Sequence, residues 1–165
     1  MPIEFQLERA RGDRRLYAFG DVGTMRLQGL FGRNATAEAG HQQWTFRRSL
    51  WTRTIEAFAV SGEIVGEFRG RLLQSGGTIC WNVREVLLRR STMWRERYVL
   101  EDAGRELARF DVRAWGRFPV SVCVEVPDEV ERGLLLFAAF VVRAAADDNS
   151  TGAVVASTTA TAGGG

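Results

Sequence analysis

Gly133-Leu134-Leu135-Leu136-Phe137-Ala138-Ala139-Phe140-Val141-Val142 runs for ten residues without a polar side chain, stops at Arg143, and gives way through Ala144 to Ala146 to Asp147-Asp148. The stretch is read as a helix because Pro127-Asp128 precedes it: Asp128 can cap, and Glu131 sits three residues on, as a capping box requires. A helix apolar on every face has to be covered on every face. A membrane-crossing helix takes about 20 apolar residues, so this run is too short to span and fits a buried core helix instead. The reading is therefore a helix over 128–146, with Leu134, Leu135, Leu136, Phe137, Phe140 and Val141 as its core-forming side chains. Beyond it, residues 149–165 are small, Thr-rich and Gly-ended, and read as a flexible tail.

The walls that cover such a helix lie upstream. From Ile3 to Val126 the chain alternates short runs of Val, Ile, Leu, Phe, Tyr, Trp and Thr with glycine-bearing turns every eight to twelve residues, the mark of an all-β sandwich or barrel. Eleven strands are expected, over 3–9, 14–19, 24–31, 42–49, 52–60, 63–72, 77–83, 85–91, 93–101, 105–113 and 118–126, with Asn34 to Gly40 left as a longer loop. In one of them Trp94, Tyr98 and Leu100 share a face while Arg95, Arg97 and Glu101 share the other. Sliding the chain on itself by 42 residues puts Arg47-Arg48-Ser49 on Arg89-Arg90-Ser91, Gly62 on Gly104 and Phe68 on Phe110. That echo reads as a repeated meander; an earlier copy near Gly20 is too faint to claim. The fold expected is a closed antiparallel β-barrel of about 11–12 strands around a buried hydrophobic C-terminal helix, as one domain over 1–148.

Composition sets the boundaries of function. A chain of 165 residues with 45% hydrophobic and 25% charged side chains is ordinarily globular. The net charge is +2, and all 22 basic residues are arginine. Arginine pairs bidentately with phosphate or carboxylate. Cys80 and Cys123 lie in apolar strand-like runs and read as buried thiols, with no disulfide. The first ten residues carry no charged-then-apolar leader, so a reducing, cytoplasmic setting is expected.

No motif for chemistry emerges. His41 is the sole histidine, so any triad or zinc site would pass through it, and it stands in a Gly/Ala-rich loop without Cys-x-x-Cys or His-x-x-x-His spacing nearby. No glycine-rich phosphate loop opens a helix. Catalytic residues, metals and cofactors are therefore not expected. The remaining polar signal is arginine on strands: Arg47, Arg48, Arg89, Arg90, Arg95 and Arg97. These either pair with nearby Glu and Asp on a solvated face or form a site for anionic groups. Of five tryptophans, Trp44, Trp51, Trp81, Trp94 and Trp115, most are expected in the core, and Trp115 at a loop could anchor at an interface.

Trp94-Arg95-Glu96-Arg97-Tyr98, the turn Glu101-Asp102-Ala103-Gly104-Arg105-Glu106, and the apolar helix Leu134 to Val142 together resemble the tubby C-terminal fold, and within it the LURP-one-related and phospholipid-scramblase-like proteins. The resemblance spans Trp44 to Asp148. It implies a closed barrel of about twelve strands around a hydrophobic helix, and a non-enzymatic binding or scaffold role at anionic membrane lipid or a protein partner, peripheral to the membrane. Nucleic acid is not an expected partner. The family's own sites do not carry over: no phosphoinositide motif matches, lysine is absent, and no acidic calcium loop appears. A barrel for small apolar ligands, like a lipocalin, and an enzyme of unrecognised type stand as alternatives; the first needs an open lumen.

Overall fold

In the computed structural model, residues 1–29, 32–49, 51–52, 54–71, 76–92, 96–112 and 119–158 are described. They form twelve strands: β1 Ile3–Arg9, β2 Leu16–Phe19, β3 Gly23–Gln28, β4 Asn34–Ala39, β5 Gln42–Arg48, β6 Ile55–Ala59, β7 Ile64–Arg71, β8 Gly76–Trp81, β9 Arg84–Thr92, β10 Glu96–Asp102, β11 Arg105–Val112 and β12 Pro119–Val124. Each pairs with the next, and β12 pairs back onto β1 through Ile3↔Val124 and Phe5↔Val122, closing an antiparallel barrel. Closure leaves no strand edge unpaired. It also explains the count, because an up-and-down meander closes antiparallel only with an even number of strands.

The strand missing from the sequence reading is β4, expected as a loop. Asn-Ala-Thr-Ala-Glu-Ala has little intrinsic preference for a strand, and hydrogen bonding to β3 on one side and β5 on the other imposes the conformation. Its alternation is real but written in small residues: Ala35, Ala37 and Ala39 face inward and are buried.

After β12 comes a 3₁₀ turn over Pro127–Glu129 and then α1, Arg132–Thr158. Every residue from Leu134 to Ala146 is buried, and α1 touches β3, β4, β5, β7, β10, β11 and β12, strands drawn from around the whole circumference. The helix fills the lumen. It lies closest to β4 and β3, where the inward alanines leave room for it. At its start Trp44, Trp81, Phe46, Phe137 and Phe140 form a connected aromatic cluster, with ring centroids 5.2 to 5.9 Å apart. Such pairs contribute beyond their buried area.

Two helix expectations are corrected. The capping box does not form: the 3₁₀ turn has no side-chain cap, and the Glu131 carboxylate instead accepts the Trp81 Nε1–H at 2.8 Å and lies 3.4 Å from Asn82 Nδ2. Satisfying a buried indole N–H outweighs capping an end that is already held. The end is held by Arg84, which donates to Asp102 at 2.6 Å and to the Glu129 carbonyl at 2.5 Å, and by Arg105 on Glu129 at 3.0 Å. The helix also continues past 146 to Thr158, so the stretch read as a tail is helical through that point; propagation from a helix already nucleated and buried adds turns even in a segment of weak helix formers. Residues 159–165 lie outside the described residues.

The sequence echo is structural. Arg48↔Ile55, Ile55↔Phe68 and a register slip after Ala57 in one meander match Arg90↔Tyr98, Tyr98↔Phe110 and a slip after Leu100 in the other. The earlier copy is present too, as Arg9↔Tyr17 and Tyr17↔Met25. Continuing each series to Ala37, Ile79 and Val122 uses every strand once. The wall is thus three four-stranded meanders.

Candidate functional site: the arginine-bearing mouth

An up-and-down barrel sends every second connection to the same end. The turns after β2, β4, β6, β8 and β10 lie at the end where α1 enters; the connections after β1, β3 and β5 lie at the end where it leaves, where β7, β9 and β11 also finish. The two ends differ in charge. At the entry end stand Asp21, Glu63, Asp102, Asp128, Glu129 and Glu131 against Arg84, Arg105 and Arg132. At the exit end stand Arg11, Arg14, Arg15, Arg33, Arg48 and Arg143, against Asp13 and Asp147 among the described side chains.

Local chemistry orders this exit rim. In the connection 10–15, Asp13 accepts the Arg15 backbone N–H at 2.9 Å and pairs with Arg26. The backbone hydrogen bond first, and then the Arg26 guanidinium, hold the Asp13 carboxyl below the usual carboxylate range. Arg11, Arg14 and Arg15 are left pointing to solvent on a fixed turn. Arg33 is exposed on the next connection, and Arg143 reaches out of the helix to donate to the Gly32 carbonyl at 2.8 Å, with Asp147 at 3.4 Å. A Cβ at Gly32, whose φ is +61°, would lie 2.7 Å from that guanidinium, so the close approach needs glycine.

The arginines singled out by sequence divide into groups. Arg89 pairs with Glu101 at 2.5 Å and Arg97 with Asp111 at 2.5 Å, both on the outer wall. Arg47, also outward, stacks over the Phe58 ring at 5.0 Å beside a shallow depression of about 560 Å³ lined by Thr36, Glu38, Gln43 and Thr45. Arg48 and Arg90 occupy inward registers at the exit ends of β5 and β9, as Arg9 does on β1, so they stand a third of the barrel apart rather than in one stripe. Arg9 reaches the Tyr17 hydroxyl at 3.3 Å, and the Arg90 Nε is buried without a hydrogen-bond partner among the described residues. Arg95 lies outside the described residues.

The other sequence candidates also have places. Trp44 and Trp81 are buried, but Trp51 is not: it is 96% exposed on the connection between β5 and β6. Trp94 and Trp115 lie outside the described residues. His41 is exposed in the turn after β4. Cys80 and Cys123 are free, half-buried and outward-facing, not core thiols as expected, and they sit on β8 and β12, four strands apart. Among the described residues no cluster of His, Cys, Asp and Glu could hold a metal, and no helix is long and apolar enough to cross a membrane.

Fold and site together define a closed antiparallel barrel filled by its own helix, with arginines gathered at one mouth. Compared with family models, curated proteins and solved structures, the chain finds no match.

Proposed function

We propose that this chain is a non-enzymatic binding module, a tubby- or LURP-one-like barrel that docks on anionic phospholipid from the cytoplasmic side through its arginine-bearing mouth. The observation that carries the reading is the division of charge along the barrel axis. With a net charge of only +2, uniform mixing would leave no field; segregation gives one end a local positive potential, and clustered guanidinium groups attract phosphate. The filled lumen favours this reading over a lipocalin-like carrier, since the volume such a carrier would offer to ligand is taken by Leu134 to Ala146.

Docking of this kind is electrostatic, without covalent chemistry. Each arginine near an anionic leaflet contributes about 1 kcal/mol, and the attraction decays within a Debye length of about 8–10 Å. Flotation of the full chain with vesicles of rising phosphatidylserine content tests it. Binding should rise with anionic lipid, fall between 50 and 500 mM salt, and weaken by roughly 100-fold in the triple variant Arg11→Gln, Arg14→Gln, Arg15→Gln at about fivefold per arginine. Binding that ignores lipid charge overturns the reading.

A further inference from the structure

Trp51 is the one tryptophan among the described residues that the fold leaves outside, 96% exposed. Ser49, Thr52 and Thr54 beside it are hydrogen-bonded to one another. The Ser49 backbone N–H donates to the Thr54 carbonyl at 2.9 Å, the Thr52 N–H donates to Ser49 Oγ at 3.3 Å, and the Thr52 and Thr54 hydroxyls meet at 2.6 Å. These bonds pin both flanks, so the indole is held out at the tip. The connection projects from the exit end, following those that carry Arg11, Arg14, Arg15 and Arg33, and Arg48 stands at its base.

An indole presented to water at the same barrel end as Arg11, Arg14, Arg15 and Arg33 is poorly placed in aqueous solution and well placed at a bilayer surface. The ring is amphipathic: its apolar body is stabilised among the upper acyl chains and its N–H among headgroup oxygens, while arginines of the same barrel end meet lipid phosphates. Aromatic side chains beside cationic ones on one surface are the composition of membrane-interface anchors. A patch that only steered a soluble anion would gain nothing from an exposed indole.

We infer that Trp51 is an interfacial membrane anchor, and that the barrel therefore docks end-on, with the exit mouth against the anionic leaflet and the helix entry facing away. This rests on the reading of the arginine mouth as a phospholipid-docking surface and adds to it a depth and an orientation. Because Trp51 is almost fully exposed, its substitution is expected to leave the melting temperature unchanged.

The test uses the full chain and vesicles of phosphatidylcholine with 30% phosphatidylserine, with and without lipids brominated near the headgroup. Wild-type protein should show tryptophan quenching by the brominated lipid. Trp51→Phe should keep most of the binding while losing the share of quenching that Trp51 supplies, and Trp51→Ala should bind about tenfold more weakly. If the wild type binds anionic vesicles and both variants bind and quench as it does, the anchor is overturned while the docking reading stands. If the wild type binds no vesicle, or binds single-stranded nucleic acid in their place, both are overturned.

Discussion

At the scale of single residues, the core at the helix-entry end turns on what Gly133 leaves out. A Cβ there would lie 2.5 Å from Trp81 Cζ2 and 2.7 Å from Trp44 Cζ2. Two effects oppose each other in Gly133→Ala. Helix propensity favours alanine by about 1 kcal/mol, and less in a first turn, whereas overpacking against two buried indoles costs about 1–3 kcal/mol. Crowding wins, and the variant should melt about 3–6 °C lower in a thermal denaturation, at roughly 2–4 °C per kcal/mol for a chain of this size. Cys123 offers a pH test. Burial first, and then the Glu125 carboxylate accepting its Sγ–H at 3.5 Å, push the thiol up. In a Cys80→Ser background, Cys123 should alkylate more slowly than a free thiol at pH 8.5, and its half-maximal rate should lie above the ordinary value of about 8.5. The sign follows for stability: the folded state holds this proton more tightly, so its contribution is complete below about pH 8.5 and is lost as pH rises through the folded value.

At the scale of elements, α1 and β4 are two halves of one packing solution. Seven large apolar side chains of α1, buried at about 1.5–3 kcal/mol each, contribute roughly 10–20 kcal/mol as an upper bound, against a net stability of about 5–15 kcal/mol for a whole domain. A chain ending at residue 126 should therefore be unfolded or insoluble; a soluble fragment that melts cooperatively by circular dichroism would contradict this. On the facing wall, Ala37→Leu adds volume where α1 approaches, and should destabilise by about 1–3 kcal/mol in urea unfolding. The legibility of the two differs for a physical reason. Ten apolar residues in a row declare burial in any context, so α1 was readable. In β4 the inward residues are alanines, which signal neither strand nor core; their role follows only from the helix that needs the space, an interaction across a hundred residues of chain.

At the scale of the molecule, that single missed strand hides the site. With residues 34–40 taken as a loop, every later strand is inverted, and Trp51 and Arg48 fall at the opposite end from Arg11, Arg14 and Arg15. Restoring β4 brings them to one mouth. Closure, helix burial and the later two meanders were legible in the sequence. The charge division was not, because it depends on parity, and the third meander was not, because its equivalence lies in register, Arg9↔Tyr17 beside Arg48↔Ile55 and Arg90↔Tyr98, more than in residue identity. A docking module in place of a carrier requires α1 to stand inside the wall, since an empty or intermittently empty lumen would restore the carrier reading. Native-state hydrogen exchange measures this directly. The amides of Leu134 to Ala146 should exchange only as fast as the whole barrel unfolds, matching the slowest strand amides; exchange of those helix amides while the strands stay protected would show that the helix leaves the barrel, and would contradict the account.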